Sequence, residues 1–126
     1  MTIITTQDLK ALKNRNEKIT VVTSYDASFT HHIEQAGVEV ILVGDSLGMV
    51  VQGHDSTIPV TVDDMVYHTA NVSRARQRAL LIADLPYHSY QTNKQALINA
   101  RRLIAPNLTA TTAQIAVMRI TKERQR

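Results

Sequence analysis

The sequence predicts an α/β fold built from three consecutive βα units, with a fourth strand as an open alternative. Residues 40–43 and 79–83 are short unbroken apolar runs, typical of strands covered on both faces of a parallel sheet. Residues 19–23 are rich in β-branched side chains, which favour a strand. Amphipathic segments separate the runs at a repeat of roughly 40 residues, as in sheets that are doubly wound or closed into a (β/α)8 barrel. Three units do not close a barrel, which needs eight units and about 250 residues.

The elements of the first unit follow from their terminal residues. Thr6 is expected to cap a short helix over residues 7–13, and the strand 19–23 follows it. Asp26 then caps a second helix, which Gly37 ends in the left-handed conformation that glycine tolerates. The side chains expected on the buried stripe of this second helix are Phe29, Ile33 and Ala36.

The second and third units repeat this pattern. Residues 39–43 form a strand, and the Gly-rich connection 44–60 leads to a helix capped by Thr61. The strand 79–83 follows, and Thr92 caps the next helix. The side chains expected to face the core are Met65, Val66, Thr69 and Val72 in the first of these helices, and Ala96, Leu97, Ala100 and Leu103 in the second.

The chain changes character after Ile104. Basic and acidic side chains balance in residues 1–104, so the whole formal charge of +3 lies in residues 105–126. That segment contains no Gly or Asp, and its one strand-like piece is residues 115–118. We therefore divide the chain into a folded unit, 1–104, and a divergent basic tail, 105–126.

Composition excludes several classes of function. The chain has 126 residues, 44% of them hydrophobic and 20% charged, which is typical of a single globular domain. It has no secretory leader pattern and no apolar run near the ~18 residues of a membrane span. The absence of cysteine excludes disulfides and thiolate zinc sites and favours a cytoplasmic location. Charge confined to a short tail, with no tryptophan for base stacking, disfavours a nucleic-acid partner.

Two aspartates follow the two buried runs. Asp45 comes after residues 40–43 with only Gly44 between, and Asp84 directly follows residues 79–83. The carboxyl ends of parallel strands meet at one edge of the sheet, where two carboxylates repel unless a cation or a proton lies between them. The pattern therefore indicates a divalent-metal site. The alternative is that each aspartate only caps a helix or a turn.

Other polar residues near this edge give weaker signals. Ser46 could hold a carboxylate or carbonyl oxygen, or could simply be a turn serine. His54 and His88 lie in loops near the expected site, but no Ser/His/Asp set can be assembled from the sequence. The remaining histidines, expected on the solvated surface, are His31, His32 and His68.

Four stretches of the sequence resemble one known family. Residues 43–57, from Val-Gly-Asp-Ser-Leu-Gly to His-Asp-Ser-Thr, resemble the signature loop of the ketopantoate hydroxymethyltransferases. Residues 23–29, 59–65 and 83–87 resemble three further stretches of that family, in the same order. The resemblance runs without a gap from about residue 3 to Ile104.

The resemblance implies a fold, a reaction and a site. It implies the N-terminal half of a (β/α)8 TIM barrel, so that 1–104 is a partial barrel domain. It implies Mg²⁺ or another divalent ion, and hydroxymethyl transfer from 5,10-methylenetetrahydrofolate to 3-methyl-2-oxobutanoate, which gives 2-dehydropantoate for pantothenate and coenzyme A biosynthesis. Asp45 and Asp84 match the metal ligands, and Asp45, Ser46 and Asp84 match positions that contact the keto acid. A cytoplasmic homo-oligomer is also implied.

The tail departs from the family pattern. The family continues with a Lys-x-Glu motif, where this chain has Ala105-Pro106-Asn107 and a Thr/Ala-rich segment. The family's general base, a glutamate, lies beyond the end of the chain, so we assign no catalytic residue here. We expect an inactive truncated copy with a frameshifted or recombined tail. The alternatives are a non-catalytic remnant that binds metal or associates with intact subunits, and an independent small α/β binding domain.

Overall fold

The computed structural model describes residues 2–105 and 115–119, which form a parallel sheet with helices packed against it. The sheet has four strands in the order β1-β2-β3-β4. The strands are β1 (Val21–Thr23), β2 (Val40–Val43), β3 (Leu80–Leu85) and β4 (Ile115–Arg119). The helices are α1 (Thr6–Asn14), α2 (Ala27–Gln35), α3 (Leu47–Val50), α4 (Val62–Ala75) and α5 (Asn93–Ile104).

The strand pairing confirms the predicted α/β fold. β2 pairs with β3 in parallel, with Val40 opposite Leu80 and Val43 opposite Ala83. The backbone of β4 continues the sheet beyond β3, so the fourth strand, left open from the sequence, is present. The rest of the tail, residues 106–114 and 120–126, lies outside the described residues, and the domain boundary near residue 104 stays a prediction.

The core lies mostly around β2 and β3. Neighbouring positions in each strand, Val40 and Ile41 in β2 and Leu80 and Leu81 in β3, are at most 2% exposed, so both faces of these strands are covered as predicted. α4 and α5 cover one side with inward-facing side chains that include Met65, Thr69, Val72 and Leu103. No helix in the described part of the chain is long and apolar enough to cross a membrane.

Three predicted inward positions are wrong. Phe29 of α2 is 68% exposed, Leu97 of α5 is 61% exposed, and Ala36, which follows α2, is also exposed. In α2 the buried position is Thr30, whose hydroxyl donates to the Asp26 carbonyl oxygen at 2.7 Å and also contacts Ser24 Oγ. In α5 it is Asn99 and Leu103 that are buried. Polar side chains that find local partners can therefore occupy the inward face, which an apolar stripe alone does not reveal.

Element boundaries shift by one or two residues. Thr5, not Thr6, caps α1, and it forms a reciprocal capping box with Asp8. The predicted caps Asp26, Thr61 and Thr92 are confirmed. β3 runs to Leu85, so Asp84 lies inside the strand rather than after it. The connection 44–60 contains the short helix α3, which the sequence analysis missed.

One carboxylate ties α2 to the start of β3. Glu34 accepts hydrogen bonds from the backbone N–H groups of Gln77, Arg78 and Ala79, at 3.0 to 3.1 Å. These three consecutive donors directly precede β3. The Glu34 contact thus fixes where the strand enters the sheet.

Candidate functional site

Asp45 and Asp84 meet at the carboxyl edge of the sheet. Asp84 is the penultimate residue of β3, and Asp45 follows the end of β2 by two residues. The Asp45 backbone N–H donates a 3.1 Å hydrogen bond to Asp84 Oδ2. Register places Val43 opposite Ala83, and this pairing brings the two aspartates together. The structure therefore joins the two residues that the sequence pattern singled out.

The Asp84 carboxylate is buried and incompletely satisfied. The residue is 2% exposed, and Oδ1 has no hydrogen-bond partner among the residues that the structure describes. Burial raises the pKa of Asp84 to about 6; the Asp45 N–H opposes the rise and the Asp45 charge adds to it. An unpaired buried carboxylate oxygen is costly, and a bound cation would satisfy it.

Glycine at position 44 lets the backbone pass close to these groups. A Cβ at Gly44 would lie 3.2 Å from Ser46 Oγ and 3.4 Å from Asp84 Oδ2. Ser46 Oγ and Asp84 Oδ2 therefore flank the same point on the backbone. Asp45, at 8% exposed, is buried beside them.

Ser46 has a partner that sequence reasoning missed. Its hydroxyl lies 2.9 Å from the Tyr25 hydroxyl, and Tyr25 follows β1 by two residues. The only sequence signal for Tyr25 was its position inside the stretch 23–29. Asp45, Ser46, Asp84 and Tyr25 thus come from the carboxyl ends of three neighbouring strands.

The prediction that His68 is a solvated surface residue is wrong. His68 is half-buried on α4, and its Nδ1 lies 2.9 Å from the Tyr25 carbonyl oxygen. A carbonyl only accepts, so Nδ1 carries the hydrogen. The sequence missed this because the contact joins residues 43 positions apart.

The other histidines stay away from the acidic pair. His31 and His32 are exposed, as predicted, and so is His54. His88 is exposed, has a φ of 63°, and hydrogen-bonds the Gln91 side chain. None of the contacts found within residues 2–105 links His54 or His88 to Asp45 or Asp84.

A cavity of about 410 Å³ opens next to Tyr25. Its lining includes Tyr25, Phe29, Val50, Val51 and His68. Val50 and Phe29 are 70% and 68% exposed, so the cavity is an open, mainly apolar recess on the Tyr25 side of the site, and its lining does not include Asp45 or Asp84.

The described residues fit part of a magnesium site. Within them no cluster of three or more acidic, histidine or cysteine side chains could hold a metal ion. Mg²⁺, however, is commonly bound by one or two protein carboxylates, with waters and substrate oxygens completing an octahedron. The unsatisfied Asp84 Oδ1 beside Asp45 matches that requirement.

Comparison with known proteins gives the same family that the motifs indicated. The family model of ketopantoate hydroxymethyltransferase matches residues 3–120. 3-Methyl-2-oxobutanoate hydroxymethyltransferase 2 of Hahella chejuensis is 58% identical over 101 residues, which cover 80% of this chain and 38% of that protein. 3-Methyl-2-oxobutanoate hydroxymethyltransferase of Tolumonas auensis is 57% identical over 105 residues, or 83% of this chain and 40% of that one. The chain thus spans about two-fifths of the length of the curated relatives it matches.

Solved structures support the fold. A trigonal crystal structure of 2,3-dimethylmalate lyase, a PEP mutase/isocitrate lyase superfamily member, superimposes with a TM-score of 0.62 at 18% identity, covering 86% of this chain and 36% of that one. The triclinic form gives 0.61, with 94% and 44% covered. This enzyme is a TIM barrel, which confirms the predicted partial (β/α)8 barrel. With the motifs, the paired aspartates and the family model in agreement, the chain belongs to the ketopantoate hydroxymethyltransferase family.

Proposed function

We propose that this chain carries the N-terminal part of the metal and keto-acid site of a 3-methyl-2-oxobutanoate hydroxymethyltransferase. Asp45 and Asp84 would hold Mg²⁺, and Asp45, Ser46 and Asp84 would contact 3-methyl-2-oxobutanoate. The observation that carries the proposal is the Asp84 carboxylate, whose Oδ2 is fixed by the Asp45 amide while Oδ1 is buried without a partner among the described residues.

The chain's own residues would bind and orient the keto acid. When bound, a divalent ion supplies Lewis-acid stabilisation of the enolate that forms when the proton at C3 is removed. The Asp45 amide holds the Asp84 carboxylate in one orientation, so little freedom is lost on binding. The Ser46 hydroxyl can donate to a carboxylate or keto oxygen, and Gly44 leaves room for that oxygen.

The wider roles implied by the family are also proposals. They are 5,10-methylenetetrahydrofolate as the one-carbon donor, a place in pantothenate biosynthesis, a cytoplasmic homo-oligomer and no nucleic-acid partner. Removal of the C3 proton needs a base within hydrogen-bond reach of it, and we assign no such base among the described residues. We therefore expect the 126-residue chain to bind Mg²⁺ and keto acid without turnover, which is also the behaviour of the alternative, a non-catalytic metal-binding remnant.

Calorimetric titration with MgCl2 and 3-methyl-2-oxobutanoate tests this proposal. Asp84→Ala should weaken Mg²⁺ binding by about 10-fold or more, because it removes one of two carboxylate ligands. The matched control is His88→Ala, which changes an exposed residue four positions after Asp84 and should bind Mg²⁺ as the parent chain does. Equal loss in both variants, or no Mg²⁺ binding by the parent chain, would contradict the site assignment. Tetrahydrofolate-linked turnover by this chain would contradict the expectation of inactivity.

A further inference from the structure

Ser46 differs from the other residues that precede helices in the described part of the chain. It stands before α3 in a helical conformation, with φ −57° and ψ −13°, and its side chain makes no capping hydrogen bond. In the four longer capped helices, the cap side chain accepts from a backbone N–H three residues on; these caps are Thr5, Asp26, Thr61 and Thr92. The Ser46 hydroxyl is therefore not used to cap α3, and it faces the Tyr25 hydroxyl at 2.9 Å.

Tyr25 is held from a second element. His68 Nδ1 donates to the Tyr25 carbonyl oxygen at 2.9 Å, and the two rings meet edge to face with centroids 6.4 Å apart. Tyr25 also packs against the hydrophobic core. The backbone and ring of Tyr25 are thus held by α4 and the core, independently of Ser46.

The direction of the hydrogen bonds follows from the ligand. Oxygens of an ionised 2-oxo acid only accept, so Ser46 must donate its hydrogen to such a ligand. Ser46 Oγ can then only accept from Tyr25, which must donate. Two hydroxyls donating in series polarise each other, and the terminal donor becomes stronger.

We propose that Tyr25 is a positioning residue for the keto-acid site: it fixes the Ser46 hydroxyl and orients it to donate to the bound acid. This inference rests on the proposed function, since it requires Ser46 to contact the keto acid. Tyr25 itself need not touch the ligand. Its contribution should therefore appear only when the Ser46 hydroxyl is present.

A double-mutant cycle on keto-acid affinity tests the positioning role of Tyr25. Binding of 3-methyl-2-oxobutanoate at saturating MgCl2 is measured for the parent chain, Tyr25→Phe, Ser46→Ala and the double variant. Tyr25→Phe should weaken binding about 3- to 10-fold, since one hydrogen bond to the serine is lost. In the Ser46→Ala background the same change should alter affinity less than about 2-fold.

Tyr67→Phe is the matched control. Tyr67 is 65% exposed and its ring also contacts His68, at 5.2 Å between centroids, so the control removes a hydroxyl beside the same imidazole. It should leave keto-acid affinity unchanged. If Tyr25→Phe does not fold, His68→Ala and His68→Asn replace it: the alanine variant should weaken binding, and asparagine, which keeps a donor near Nδ1, should restore it.

The outcomes separate the two proposals. If the parent chain binds the keto acid but Tyr25→Phe has no effect, or has an equal effect with and without Ser46, the positioning role of Tyr25 is wrong and the site assignment stands. If the His68 variants replace Tyr25→Phe, unchanged keto-acid affinity in His68→Ala overturns the positioning role of Tyr25. If the parent chain binds no keto acid with Mg²⁺ present, the proposed function fails, and the positioning role of Tyr25 fails with it.

Discussion

The backbone N–H of Asp45 donates to the Asp84 carboxylate across a sequence separation of 39 residues, at 3.1 Å. The bond joins the ends of β2 and β3, so correct pairing of those strands and correct orientation of the carboxylate depend on each other. A one-residue slip in β3 would turn Asp84 to the opposite face of the sheet, because side chains alternate along a strand. The register between β2 and β3 thus determines whether the two aspartates meet.

The stability of the metal-free chain should carry a component that falls as pH rises. Folding raises the pKa of Asp84 from 3.8 to about 6, so the folded chain holds this proton more tightly than the unfolded chain. The stabilising contribution is fully present below the unfolded pKa and is lost as pH rises through about 6. We expect Asp84→Asn to remove a component of at most about 3 kcal/mol between pH 4 and 7, as measured by urea unfolding in EDTA.

The comparison with Asp84→Asn is needed because other carboxylates act in the opposite direction. Hydrogen bonds from their partners lower the pKa values of Asp8, Glu17, Glu39 and Asp64, and their contributions are lost as pH falls. These terms cancel in the difference between the parent chain and the variant. Parallel pH profiles for the two chains would show that Asp84 does not titrate in this range.

Two buried glycines should respond differently to alanine. A Cβ at Gly48 would lie 2.5 Å from Val60 Cγ2 and 3.3 Å from the Ser56 carbonyl oxygen, so α3 or the 56–60 segment must move. We expect Gly48→Ala to lower the free energy of unfolding by about 1–3 kcal/mol. At Gly44 the nearest atom to an added Cβ is Ser46 Oγ, at 3.2 Å. Gly44→Ala should therefore cost less stability than Gly48→Ala and should weaken Mg²⁺ binding instead.

A compensating substitution at Val60 tests whether its side chain causes the stability loss in Gly48→Ala. Val60→Ala removes the methyl group that Gly48→Ala would meet, so the double variant should lose less stability than the two single losses added together. Simple additivity in chemical denaturation would mean that the Val60 contact is not what limits position 48.

Glu34 should stabilise the fold through its three backbone donors. Glu34→Gln keeps the shape of the side chain but loses the charge, and should cost about 1 kcal/mol. Glu34→Ala leaves the N–H groups of Gln77, Arg78 and Ala79 without their carboxylate, and should cost about 2–3 kcal/mol. Thermal and urea unfolding measure both losses.

The neighbouring residue on the same helix is the control for Glu34. Gln35 is exposed and contacts the exposed His31, so Gln35→Ala should change the free energy of unfolding by less than about 0.5 kcal/mol. Similar losses for Glu34→Ala and Gln35→Ala would mean that the donors before β3 find other partners.

Local features of the fold could be predicted from the sequence, and contacts between distant segments could not. The caps Asp26, Thr61 and Thr92 depend on residues three positions away, so the sequence shows them directly. The aspartate pair could be predicted because both residues follow buried runs. Tyr25 with Ser46, and His68 with Tyr25, join elements 21 and 43 residues apart, and no local pattern encodes such contacts.

The order of strands in the sheet has a consequence for how the molecule assembles. Each strand pairs with the next one made, β1 with β2, β2 with β3 and β3 with β4. A chain with this arrangement can add one βα unit at a time to a growing edge as it leaves the ribosome, without waiting for a distant partner strand. The hydrogen bond between the Asp45 N–H and the Asp84 carboxylate can then form at a defined moment of synthesis, when β3 pairs with β2.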